Sequence, residues 1–106
     1  MNTQLWQDIT PQEVQEKLNK NSQTQFIDVR EPDEYAAGRI HGTKLIPLSE
    51  FAQRANEINP NEEVICICRS GKRSAKACDH LVSIGYTNVK NMTGGMLEWN
   101  GSVEKN

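Results

Sequence analysis

Val64-Ile65-Cys66-Ile67-Cys68-Arg69-Ser70-Gly71-Lys72-Arg73-Ser74 decides the reading of this chain. Val64 to Ile67 is an apolar run of strand length, and from Ala75 to Ile84 apolar residues recur at helical spacing. A strand that feeds a tight loop and then a helix aims the loop's backbone N–H groups at one point. The first turn of the helix adds unpartnered amides and partial positive charge. Such a loop cradles an anion. Cys68 stands on its lip, where a helix N-terminus and the neighbouring Arg69, Lys72 and Arg73 favour thiolate over thiol. The stretch therefore predicts a nucleophilic sulfur facing an anionic or sulfur-bearing substrate.

Upstream, Leu5 to Ile9 reads as a short first strand. Thr10-Pro11-Gln12-Glu13 starts a helix, with Thr10 as N-cap, Pro11 at N1 and Glu13 closing a capping box. Val14 and Leu18 give that helix an apolar edge, and Asn19 to Gln23 breaks it. Gln25 to Val29 is a mostly buried strand leading to the charged group Arg30, Glu31, Asp33 and Glu34; Pro32 opens a short helix to Ala37, and Gly38 ends it. Lys44 to Ile46 is a strand stopped by Pro47. Ser49 caps a helix through Asn56 with Phe51 and Ala55 on one face, and Asn59-Pro60-Asn61 is a turn. Downstream, Ala77, Cys78, Leu81 and Ile84 form one helical stripe with Gly85 at its C-cap. Val89 to Met92 is a last strand, Gly94-Gly95 a turn, and Met96 to Trp99 a final helical turn.

Strands alternating with helices in short steps predict an α/β fold with a largely parallel sheet. Ligands in such folds sit beyond the carboxyl ends of the strands. Cys68 to Ser74 lies at one such end and Asp28-Val29-Arg30 at another, so two strand ends with chemistry-bearing residues meet on one edge.

A chain of 106 residues predicts a single domain over 1–106, and 36% hydrophobic with 25% charged residues is an ordinary globular composition. A formal net charge of -2 gives no overall electrostatic case for nucleic acid or an anionic membrane. The basic field is local instead: Arg69, Lys72, Arg73 and Lys76 fall within eight residues. The N-terminal segment has no basic region followed by an apolar one, and no apolar run approaches membrane-spanning length, so a cytoplasmic protein is expected. Three cysteines without a secretory signal suit free thiols in a reducing compartment.

These motifs together resemble the rhodanese-like sulfurtransferase domain. Residues 27–51, IDVREPDEYAAGRIHGTKLIPLSEF, are similar to the family's first signature; VICICRSGKRS (64–74) resembles its active-site loop, and GYTNVKNMTGGMLEW (85–99) its closing segment. The three occur in the family's order. The resemblance implies a rhodanese-like fold, a central parallel five-stranded sheet with helices on both faces, and no metal or organic cofactor. It implies that Cys68 carries sulfur as a persulfide and that the loop from Arg69 through Ser70, Gly71, Lys72 and Arg73 to Ser74 binds the transferred sulfur and substrate. The sulfur would pass from a small donor, thiosulfate or a persulfide, to a thiol or cyanide acceptor or a sulfur-relay protein. The chain departs from the family pattern at Arg39, Thr43 and Ser70; thiosulfate-using relatives with two domains often carry a basic residue where Ser70 stands, which weighs against thiosulfate as the physiological donor.

Other readings of the same residues are set against this one. A cysteine phosphatase or arsenate reductase needs five residues between cysteine and arginine to encircle a tetrahedral oxyanion, whereas four separate Cys68 from Arg73. A non-catalytic binding module of the same fold has no need of the cysteine that this chain keeps. Cys66, Cys68, Cys78 and His80 supply zinc-ligand types, but two belong to a strand and two to a helix interior rather than to paired knuckles. Cys66 shares a strand side with Cys68, as a redox partner or as core; Cys78 reads as core, and His41 and His80 as surface histidines. Asp28 and Arg30 are expected to brace the site rather than react.

Overall fold

The structure, a computed structural model, describes residues 5–20 and 23–105. Its first helix starts where the capping box requires. The Thr10 hydroxyl accepts from the Glu13 amide at 3.1 Å and the Glu13 carboxylate accepts from the Thr10 amide at 2.9 Å, which satisfies two amides that a helix N-terminus leaves orphaned. Helix α1 then runs Pro11–Asn19, followed in chain order by α2 (Pro32–Ala37), α3 (Phe51–Arg54) and α4 (Lys72–Ser83). The strands are β1 (Gln7–Ile9), β2 (Gln25–Asp28), β3 (Thr43–Leu45), β4 (Val64–Ile67) and β5 (Val89–Met92).

All five strands join one parallel sheet in the order β1-β5-β4-β2-β3. Strand β4 is central, and its Cys66 lies opposite Ile27 of β2 and Asn91 of β5. Covered on both faces, β4 is buried at every position, which is why it reads as an unbroken apolar run rather than an alternation. Its alternate side chains feed two cores. Val64, Cys66 and Cys68 pack with Phe51, Ala55, Ala77, Cys78 and Leu81 on the α3 and α4 side, while Ile65 and Ile67 pack with Val14 of α1, Ile9, Ile40 and Met92 on the other. Each fully buried Ile, Leu or Phe here contributes about 1.5–3 kcal/mol by leaving water, so the sheet is clamped from both faces and its strand ends are held in fixed register.

Besides one-residue shifts at the ends of β2, β3 and the last turn, the elements depart from the sequence reading in four places. Strand β1 begins at Gln7, leaving Leu5 exposed. The expected helix from Ser49 to Asn56 is three short pieces, with 3-10 turns Leu48–Glu50 and Ala55–Glu57 flanking α3, and Ser49 caps nothing. The Tyr86 hydroxyl reaches the carbonyls of Ala55 and Ile58, which secures the end of this segment as a turn. Helix α4 begins at Lys72 rather than Ala75, because Gly71 at φ +98° supplies a left-handed N-cap that turns the chain directly into helix. Ile84, expected on the buried stripe, lies past the end of α4 and is 52% exposed. Of the break expected over Asn19 to Gln23, residues 21 and 22 fall outside the described residues, as do residues 1–4 of the N-terminal segment. Among the described residues no helix is long and apolar enough to cross a membrane.

Candidate active site

Cys68 follows β4 directly, at the carboxyl edge of the central strand, and has no exposed surface. The chain then reverses over Arg69, Ser70 and Gly71 and enters α4. Because the first turn of a helix has no intrahelical partners for its amides, those groups are free to point at the sulfur. The Gly71 amide donates to Cys68 Sγ at 3.0 Å and the Ser74 hydroxyl stands 3.3 Å from it. Burial by itself pushes the thiol up. The Ser74 hydroxyl and the amides of Ser74, Gly71 and Ser70 outweigh it and hold Cys68 below its ordinary value. The arrangement stabilises a thiolate out of contact with bulk water.

The loop is backed from behind by the segment after β5. Met96 donates its amide to the Cys68 carbonyl at 2.9 Å and Leu97 donates to the Arg69 carbonyl at 3.0 Å. Gly95 makes this approach possible: a Cβ there would sit 2.4 Å from the Cys68 oxygen and 2.5 Å from the Arg69 carbonyl carbon, closer than any side chain tolerates. Asn91, 6% exposed at the end of β5, completes the cradle by donating to the Gly71 carbonyl at 3.1 Å and accepting from the Ser74 hydroxyl at 2.5 Å.

Asp28 and Arg30 sit at the end of β2 and face each other. The guanidinium bonds both carboxylate oxygens at 2.8–3.0 Å and continues to the carbonyls of Glu34 and Gly38, so β2 is tied to α2. Arg73 is committed to Glu34 in a two-bond fork at 2.7 and 2.8 Å. That fork takes the Glu34 carboxyl down to about 2 and fastens the first turn of α4 to α2. Arg69, Ser70 and Lys72 are exposed on the rim, and neither Arg69 nor Lys72 has an ion-pair partner among the described residues. Thus the structure brings Ser70, Gly71 and Ser74 onto the sulfur, leaves Arg69 and Lys72 at the mouth, and sets Arg73, Asp28 and Arg30 into the frame around it.

Cys66 does share a strand side with Cys68, but its thiol contacts Cys78. Cys78 is wholly buried core, and its thiol, beside Cys66 and 3.5 Å from the Lys90 carbonyl, is pushed up. His80 packs edge-on against Phe51, and His41 pairs with Glu104. Among the described residues no three His, Cys, Asp or Glu side chains converge in a way that could hold a metal ion. Glu34, Asn91 and Gly95 escaped the sequence reading of the site. The signal for Asn91 was its place: a short amide side chain near the carboxyl end of the last strand, at the edge where ligands gather.

The family model for the rhodanese-like domain matches residues 10–102. YrkF of Bacillus subtilis, named as a candidate sulfur carrier protein, is 37% identical over 97 residues, which is 92% of this chain and 52% of YrkF. A protein of Allochromatium vinosum named sulfurtransferase is 33% identical over 92 residues, covering 87% of this chain and 86% of that one. The chain spans about half of YrkF and 64% of another Bacillus subtilis relative, YqhL. A crystal structure of a rhodanese-like domain protein from Staphylococcus aureus superposes with a TM-score of 0.85 at 35% identity, covering 94% of this chain and 98% of that one. With the family model spanning residues 10–102, from the first helix through the loop to the closing segment, the chain belongs to the rhodanese-like domain family.

Proposed function

We propose that this chain is a sulfurtransferase that carries a sulfane sulfur on Cys68. The observation that supports it most is the pair of donors on a fully buried cysteine sulfur, the Gly71 amide at 3.0 Å and the Ser74 hydroxyl at 3.3 Å, which favour the thiolate. In the first half-reaction the Cys68 thiolate attacks the outer sulfur of a donor, thiosulfate or a persulfide. A new S–S bond forms at Cys68, and the electron pair of the donor's S–S bond leaves with sulfite or a thiolate. The outer sulfur of the Cys68 persulfide then carries the negative charge, within reach of the amides of Ser70, Gly71 and Ser74. In the second half-reaction an acceptor thiolate, cyanide or the thiol of a sulfur-relay protein attacks that outer sulfur, and Cys68 leaves as the thiolate from which it began. Splitting the transfer into two displacements gives ping-pong kinetics. Asp28 and Arg30 brace the β2 edge of the site. Access runs past the exposed Arg69 and Ser70.

The commitment of Arg73 to Glu34 speaks against phosphatase chemistry, because the guanidinium that would clasp an oxyanion is already held. Incubating the protein with thiosulfate and with an organic persulfide, followed by intact mass measurement, tests the assignment. The expected product is heavier by about 32 Da, and Cys68→Ser does not acquire that mass. An unmodified wild-type mass with every donor would overturn it in favour of a binding module.

A further inference from the structure

Among the described residues no hydrogen bond joins Asn91 to Cys68, yet both groups that hold the sulfur answer to it. Its Nδ2 donates to the carbonyl of Gly71, whose own amide donates to Sγ. Its Oδ1 lies 2.5 Å from Ser74 Oγ, which in turn stands 3.3 Å from Sγ. A serine hydroxyl has one proton, so Ser74 can donate to Asn91 or to the sulfur but not to both at once. The shorter distance places that proton on the amide oxygen when the sulfur is neutral. A thiolate is the stronger acceptor, since charge-assisted hydrogen bonds are roughly twice as strong as neutral ones.

From this we propose that Asn91 is the positioning residue of the sulfur site, an amide clip that holds the Ser74 hydroxyl while the sulfur is neutral and yields it to the thiolate. The hydroxyl proton swings from Asn91 Oδ1 to Sγ as the cysteine ionises. It returns to Oδ1 when the negative charge passes to the outer sulfur of a persulfide. No proton leaves Ser74 in either direction, and the swing is a rotation about one C–O bond. The oxygen arm of the clip is buried, so water does not compete for the Ser74 hydroxyl there, and the amide arm to Gly71 is part-buried. The last step of the cycle rests on the persulfide reading given above; the swing on ionisation does not.

The test is the pH dependence of Cys68 alkylation by iodoacetamide in four proteins: wild type, Ser74→Ala, Asn91→Leu and the double variant, with thermal melting measured on each. Asn91→Leu is expected to lower the midpoint by about half a pH unit, speeding alkylation at pH 7 roughly threefold, because the bond from Ser74 to Asn91 is made only while the sulfur is neutral and its loss removes a stabiliser of the thiol. Ser74→Ala alone raises the midpoint, and in the Asn91→Leu background, where nothing competes with the thiolate for the hydroxyl, it raises it by more. Asn91→Asp keeps an oxygen facing Ser74 in nearly the same volume, so there the Ser74→Ala shift is no larger than in wild type. Additive shifts in the double variant, or an Asn91→Leu protein that melts lower with an unmoved midpoint, would overturn the proposal. Alkylation requires no sulfur donor. A wild-type protein that never loads sulfur but shows the coupled midpoints would sink the transferase reading and leave the role of Asn91 standing.

Discussion

Cys68 and Cys78 are both wholly buried, both belong to the core beneath α4, and their thiols are driven in opposite directions. Cys78 lies in the middle of the helix, where every amide is already engaged by the preceding turn, and it finds only another thiol and a backbone carbonyl. Cys68 lies ahead of the helix, where the amides of the first turn are unclaimed. Burial penalises the charged form of both. The difference is made by whether the surrounding groups donate or accept, so a nucleophile and an inert core residue can share one cluster.

The strongest way to break this contrast is to exchange the roles. Cys68→Ser is expected to abolish the mass gain from a sulfane donor, while Cys66→Ala and Cys78→Ala load as fully as wild type; loading that persists in Cys68→Ser would move the nucleophile elsewhere. Next in size is Gly95→Ala, which forces a methyl against the Cys68–Arg69 peptide and should cost about 1–3 kcal/mol of stability, read by denaturant melting, while also slowing Cys68 alkylation. Unchanged melting would mean that the backing segment gives way freely. Cys78→Ala should cost about 1 kcal/mol through the space it leaves, with no change in the pH midpoint of Cys68 alkylation. A moved midpoint would show that the two thiols are coupled. Smallest is Glu34→Gln. Removing the charge opposite Arg73 should lower stability at neutral pH by no more than about 1 kcal/mol, because the pair is part-exposed, with sulfur loading retained.

The parallel sheet and its two strand-end clusters were legible because β4 is apolar throughout, β2 carries Phe26 and Ile27 at its centre, and each runs abruptly into charged residues. The boundaries of α4 were not. Lys72, Arg73 and Ser74 carry no apolar periodicity, so nothing in their order distinguishes a loop from a first helical turn; the backbone of Gly71 decides it. Arg73 illustrates the same limit for the site. Its nearness to Cys68 in sequence suggested substrate contact, whereas its partner Glu34 stands 39 residues away on a helix brought alongside only by the sheet order. Asn91 and Gly95 belong to the site for a similar reason, since β5 reaches Cys68 by lying next to β4 and not by proximity in the chain.

The donors around Cys68 also tie the fold to the proton. An unfolded chain presents Cys68 as an ordinary thiol that titrates near 8.5, whereas the folded chain lowers that value. Folding and ionisation therefore assist each other. The stability that Cys68 contributes is fully present above its unfolded pKa and is lost as pH falls through the lower folded one. A neutral cap on the sulfur, such as an alkyl group, removes this contribution, so the protein pays in conformational stability whenever its nucleophile is blocked and regains it whenever the thiolate is set free.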